Sequence, residues 1–292
     1  MKFRTEYEMR PSERLLDPAE PVVLIGSCFT DSIGKRMVSC RWPALPNPCG
    51  TLFNPSSIAN IIRLAIADES RLRAVAEDSI AERNGLFMSW LVDSGSTKHT
   101  REETLSSLHE RLYSLRDGLA TEATLIVTFG TAWIYELREQ PGYVVSNCHK
   151  FPAGNFVRRR LSVEEISSEW LSLLDNLKER FPRLRVIFTV SPVRHLKDGF
   201  EGNSRSKAIL QLSCEEICEK CKSAEYFPSF EIMNDDLRDY RFYDRDMVHP
   251  SEMAVDYIWE KFQERFLSAE SRAILREGEK ITRRLNHRPI IK

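Results

Sequence analysis

The chain has no run of 18 consecutive apolar residues, so no membrane-spanning helix is expected. Its first residues, MKFRTEYEMRPSERLLDPAEP, lack the apolar core of a secretory signal. Neither sign of charge is in excess: 42 Lys and Arg stand against 43 Asp and Glu, a net of −1. That balance excludes a broadly basic nucleic-acid binder. There is no paired-cysteine framework either. The seven cysteines are odd in number and irregularly spaced, which points to reduced thiols and a cytoplasmic location rather than a disulfide scaffold. Internal repeats and low-complexity linkers are absent as well.

What the chain does contain is an ordinary globular composition, 42% hydrophobic and 29% charged over 292 residues, enough for one large domain or two modest ones. Short apolar runs alternate with amphipathic stretches. Strands are expected at Val22–Ile25, Leu86–Val92, Leu125–Thr128, Tyr143–Ser146, Arg185–Val190 and Tyr226–Ile232. Helices are expected at Asp31–Val38, Ser56–Ala67, Glu102–Leu119, Ser204–Lys222 and Ser251–Phe266. Another starts at the capping box Ser162-Val163-Glu164-Glu165 and runs to about Arg180. The charged tail Ser271–Lys292 reads as a surface helix. The pattern predicts an α/β protein, a three-layer sandwich around a mostly parallel sheet. A main domain is expected over residues 1–267, with a helical C-terminal extension over 268–292.

In such sheets, sites form at the carboxyl ends of strands. Gly26-Ser27, Gly130-Thr131 and Ser191-Pro192 occupy such ends, and Asp244 to Pro250 precedes the last long helix of the main domain. A serine delivered by a Gly-Ser step beside a helix N-terminus suits a nucleophile, and equally a helix cap. In Asp246-Met247-Val248-His249, an Asp three residues before a His can hold the imidazole as a general base, although D-x-x-H alone is a weak pattern.

The two ends together resemble an SGNH/GDSL-type hydrolase. The words Gly26-Ser27-Cys28-Phe29, followed by Thr30 where an alanine is usual, resemble the signature of the bacterial GSCFA family. So do Asn47-Pro48-Cys49-Gly50 with Phe53-Asn54-Pro55, Gly130-Thr131-Ala132-Trp133 and Asn147-Cys148-His149-Lys150. Ser191-Pro192-Val193-Arg194 with Asn203 and Ser206-Lys207, and the segment Asp246 to Ser251, complete the likeness. The resemblance implies Ser27 as nucleophile, His249 as base and Asp246 as its orienter. It implies the backbone N–H groups of Ser27 and Gly50 as oxyanion donors. No Asn stands where the third donor is usual; Thr131 or Asn147 is expected in its place. Ser27 is expected within hydrogen-bond reach of His249.

Cys28 reads as a small buried residue rather than the nucleophile. His149, beside Asn147, is a candidate for substrate contact or for buttressing the site, and Arg194 for holding the substrate. Cys148 and His149 are adjacent, a poor chelating geometry, and no metal or organic cofactor is expected. Cys214, Cys218 and Cys221 share a helix face and read as core. Arg158-Arg159-Arg160 and the Asp235, Asp236, Asp239 group read as surface. The function implied is hydrolysis of small acyl esters, including carbohydrate O-acyl esters, through an acyl-enzyme. Acyl transfer with the same triad and a binding scaffold with a degenerate site are the alternatives. The expected partner is a small-molecule or carbohydrate ester, with neither nucleic acid nor membrane; the sequence leaves the oligomeric state open.

Overall fold

The computed structural model describes residues 5–121 and 124–286. Strand β1 (Val22–Gly26) leads into helix α1 (Cys28–Ser39) and β2 (Ala44–Pro46). Helices α2 (Pro55–Ala65) and α3 (Glu69–Asp78) precede the hairpin β3 (Ile80–Arg83) and β4 (Leu86–Ser89). Helix α4 (Arg101–Ala120) returns the chain to β5 (Thr124–Phe129). A side sheet follows, made of β6 (Trp133–Leu137), β7 (Val144–Val145) and β8 (Phe156–Arg160), all antiparallel. Then come α5 (Val163–Arg180), β9 (Arg185–Val190), α6 (Gly199–Lys220), β10 (Ala224–Phe227) and a short α7 (Ser229–Glu231). Helices α8 (Glu252–Phe266) and α9 (Ala269–Asn286) close the described chain.

The central sheet has the order β10-β9-β5-β1-β2, and every pairing in it is parallel. Counted along the chain, its strands run 2-1-3-4-5, the doubly wound order whose switch point lies between the first and third strands. Those strands are β1 and β5, with Gly26 opposite Thr128. The expected three-layer α/β architecture is the one observed. Alternation along each strand divides the core. Val23, Ile25, Val127 and Phe188 face one apolar cluster with α2, α4, α5 and α6, while Val22, Leu24, Ile126 and Ile187 face the other, with α1 and α8.

Trp170 of α5 anchors the first cluster. It is fully buried, its ring lies edge-on to Phe129 (5.2 Å) and Phe188 (5.1 Å), and its indole N–H donates to the Pro55 carbonyl. Trp170→Ala is expected to cost about 3–5 kcal/mol. A urea titration reads this as a lower midpoint; an unchanged midpoint would reject the anchor role.

Several expected elements differ in instructive ways. Helix α1 starts at Cys28, not Asp31, because Ser27 itself caps it. The expected strand Tyr226–Ile232 stops at Phe227. Pro228 follows, the Ser229 hydroxyl bonds the Val190 carbonyl and Thr189, and Ile232, Met233 and Leu237 are buried from wide helical turns. Arg158-Arg159-Arg160 belongs to edge strand β8, with Arg158 exposed and Arg159 and Arg160 partly buried. The capping box at Ser162 is present in both directions. Cys214 is fully buried, with Cys218 and Cys221 packed against the same cluster at its margin. Helix α9 lies directly on the end of α1, since a Cβ at Gly278 would fall 2.2 Å from the Cys40 carbonyl. Residues 287–292 of the expected tail helix lie outside the described residues. No described helix is long and apolar enough to cross a membrane.

Candidate active site

The Gly-Ser step sits at the switch point. Gly26 has φ +145, and a Cβ there would lie 2.2 Å from the Thr128 carbonyl oxygen, so only glycine lets β1 end this close to β5. Ser27 takes an extended conformation and its Oγ accepts from the Phe29 N–H at 3.3 Å. It is the N-cap of α1, with 1% of its surface exposed. Asn47 clamps this turn from the β2–α2 loop. Its side-chain oxygen accepts from the Gly26 N–H (2.9 Å), and its amide donates to Asp31 (2.7 Å) and the Ser27 carbonyl (3.5 Å). Sequence reading quoted Asn47 in a motif but gave it no role; its left-handed φ of +42 is the local sign that it is a special turn residue.

The second half of the site is built locally. Asp246 Oδ2 lies 2.6 Å from His249 Nδ1, and Asp246 Oδ1 accepts from the N–H groups of Val248 (2.8 Å) and His249 (2.9 Å). These bonds hold the Asp246 carboxyl down at about 2, so it is ionised at any working pH. Met247 takes φ +59 to close the loop, and Ser251 caps α8 immediately after. An ionised partner at Nδ1 assigns the proton to that nitrogen and leaves Nε2 as the base. The Val248 carbonyl accepts from the Arg194 N–H (3.2 Å), tying the loop after β9 to the histidine loop. The Arg194 guanidinium lies 4.0 Å from the Tyr243 ring centroid. It braces this loop.

Asp246 and His249 thus meet, as the sequence spacing suggested. Ser27 and His249 do not: no hydrogen bond joins them, and the Ser27 hydroxyl is buried as a cap while the His249 side chain is 48% exposed. The expected contact is absent because the Ser27 hydroxyl is turned to its own helix.

The donor set also differs from expectation. The Ser27 N–H is directed at the Thr128 carbonyl (3.3 Å), and the Gly50 N–H closes a turn on the Asn47 carbonyl (2.8 Å). The Thr131 N–H bonds the Phe53 carbonyl (3.0 Å), and its hydroxyl pairs with Ser206 (3.2 Å) and accepts from the Trp133 N–H. Asn147 accepts from the His149 N–H (2.7 Å). The buried His149 ring bonds the Ser89 carbonyl (2.8 Å) beside Trp90, under the side sheet. The His149 ring and the Asn147 side-chain oxygen therefore buttress that sheet. Several of these groups find their partners on segments distant in the chain, Thr131 on Phe53 and Ser206 and His149 on Ser89, which the sequence does not display.

Two further groups lie nearby to which the sequence assigns no role, His195 and the Lys207 of the family word Ser206-Lys207. His195 packs edge-on to Phe53 (5.9 Å), and its buried Nε2 has no hydrogen-bond partner among the described residues. Lys207 of α6 is 1% exposed, with its ammonium donating to the carbonyls of Gly130 (2.7 Å) and Ser191 (2.6 Å). Burial, together with the nearby Lys207 and His249 charges, pushes the His195 imidazole down to about 4. An unfolded chain takes up that proton near pH 6.5, the folded one only near 4. Stability therefore falls as pH drops from about 6.5 to 4, by on the order of 3 kcal/mol, and is unaffected above. Urea titrations across this range should show a flatter profile for His195→Gln; parallel profiles would remove His195 as the cause. Among the described residues no group of three or more His, Cys, Asp or Glu side chains could hold a metal ion.

A sequence model described as the GSCFA family matches residues 21–262. The chain belongs to the GSCFA family. No protein of curated function matches it in sequence. Among solved structures, it is similar to one described as a GDSL-like lipase from Parabacteroides merdae. That match is 12% identical, covers 87% of this chain and 98% of the other, and has a TM-score of 0.44. It is also similar to a mutant acetyl-xylooligosaccharide esterase from Geobacillus, at 13% identity, 85% and 95% coverage and a TM-score of 0.39. At these values the likenesses carry no inference about substrate or mechanism.

Proposed function

We propose that this GSCFA protein is a serine-dependent hydrolase of small acyl esters, carbohydrate O-acyl esters among them. The observation that carries the reading is the Asp246–His249 pair, held at 2.6 Å with Nε2 unpaired, at the same sheet end as Ser27. His249 Nε2 takes the Ser27 proton as the hydroxyl attacks the acyl carbon, and returns it to the leaving alcohol. The acyl-Ser27 ester is then cleaved by water, with His249 again as base. Asp246 keeps the useful tautomer and stabilises the imidazolium. Closure of the Ser27–His249 hydrogen bond belongs to the substrate-bound state, where such contacts tighten. No metal or organic cofactor enters this chemistry.

A fluorophosphonate probe tests the reading. It should label wild-type protein stoichiometrically, with the adduct mapping to the peptide containing Ser27. A panel of acetyl and short-acyl esters should include one that is turned over. An adduct on Cys28 or elsewhere would reject the serine mechanism. One observation favours a binding scaffold instead: Ser27 is buried and engaged as a cap. Folded protein inert to both the probe and the panel would put that reading first. Acyl transfer to a sugar hydroxyl would show as turnover that rises with added alcohol.

A further inference from the structure

Lys207 is a buried cation without a counter-ion. Among the described residues no carboxylate pairs with it; its partners are the Gly130 and Ser191 carbonyls, and the Phe230 ring lies 5.7 Å away. Burying an ammonium this way is costly. A neutral donor would join two carbonyls more cheaply, so the charge itself calls for a role. Its position supplies one. Gly130 and Ser191 directly follow β5 and β9, which pair Phe129 with Val190, and β5 pairs with β1 at the Gly26 turn. The ammonium is therefore within roughly one to two strand spacings of Ser27, about 5–10 Å. It lies close enough to Cys28, the next residue, for the two side chains to influence each other electrostatically, and His195 also faces it. Meanwhile the peptide N–H groups expected to hold an oxyanion there all have partners.

We propose that Lys207 is a positioning residue whose buried positive charge supplies, at the Ser27 turn, the oxyanion stabilisation that the engaged N–H groups do not. The inference rests on the serine-hydrolase reading. In a dry interior a fixed charge acts over several ångströms with little screening, and it needs no reorganisation as the oxyanion forms. The two carbonyls fix its place, and by holding both strand ends Lys207 also sets the floor of the site. Burial pulls the ammonium down to about 7, so the charge is predominant only below neutral pH. The amino end of α1 adds to the same positive field.

Lys207→Gln separates charge from hydrogen bonding, because an amide still donates to carbonyls but carries no charge. Lys207→Met, of similar length and apolar, is the second neutral variant if the first does not fold, and Lys207→Arg retains the charge. Two rates are measured on intact folded protein at pH 6.5. One is fluorophosphonate inactivation at Ser27. The other is iodoacetamide alkylation of Cys28, read by peptide mass spectrometry, which senses the local field without any substrate. The neutral variants should lose on the order of 10²-fold in the limiting rate of Ser27 inactivation, with the half-saturating probe concentration unchanged. Their Cys28 alkylation at this pH should also slow, because less thiolate forms without the nearby charge, and Lys207→Arg should restore both. If a folded neutral variant matches wild type in the Cys28 rate, the charge does not act at the turn and the proposal is overturned. It is equally overturned if Ser27 inactivation falls only in proportion to the unfolded fraction. If the Cys28 rate falls while wild-type Ser27 never reacts, the hydrolase reading fails and the assigned field stands.

Discussion

Ester turnover and fluorophosphonate labelling are both expected to disappear in Ser27→Ala, a loss on the order of 10⁶-fold if the triad acts as a unit. The size follows from what is removed. Without the hydroxyl there is no acyl-enzyme, and only binding and electrostatics are left. The structure adds a complication, because Ser27 Oγ also caps α1. Alanine at an N-cap costs about 1 kcal/mol, so a lower melting temperature is expected alongside the lost activity. Ser27→Gly separates the two effects. Glycine at this position costs only a few tenths of a kcal/mol of helix stability, yet it is equally unable to form an acyl-enzyme. Stability near wild type with abolished turnover in Ser27→Gly is the expected pair of results. Turnover retained in either variant, with folding confirmed by circular dichroism, would exclude Ser27 as nucleophile.

Asp246→Asn is expected to lower kcat by about 10⁴-fold while leaving the fold intact. That is the magnitude of the corresponding change in a serine protease, where the wrong tautomer is the cause. The geometry here favours the same outcome. Asn keeps an oxygen for the Val248 and His249 N–H groups, so the loop holds. Its amide N–H₂ then faces His249 Nδ1, which must accept, and the proton moves to Nε2. A protonated Nε2 cannot take the Ser27 proton. His249→Ala should cost nearly as much as Ser27→Ala, because triad losses do not add. Thr131→Ala, by contrast, should have a small effect on rate, since its hydroxyl is engaged with Ser206 and the Trp133 N–H. Steady-state rates on one reactive ester decide each case. An Asp246→Asn enzyme within tenfold of wild type would mean that Asp246 only shapes the loop.

Local chemistry in the sequence was enough to determine a good part of this protein. The apolar runs at Val22–Ile25, Leu125–Thr128 and Arg185–Val190 are parallel strands because a strand buried on both faces must be apolar throughout. The capping box at Ser162 and the Asp246–His249 contact were legible for a related reason: partners three residues apart meet by chain geometry alone. The glycine of the Gly-Ser step is likewise dictated where the strand ends. Family membership is carried by short words of this local kind.

Only the tertiary structure decided which polar groups are free and which are already engaged. The Gly50 N–H, the Thr131 hydroxyl and the His149 ring look available in the sequence, but each has a partner once the chain folds. Asn47 reaches Gly26 across 21 positions, and Lys207 reaches Gly130 across 77, distances over which no sequence pattern specifies a partner. The same holds for the turn at Pro228, where bonds to Thr189 and Val190 of a neighbouring strand end β10. A buried polar group must find a partner, and which partner it finds depends on the packing of segments distant in the chain. That is why Ser27, Asp246 and His249 stand out in the sequence as candidates, whereas the setting of Lys207, present there only in a family word, came from the fold.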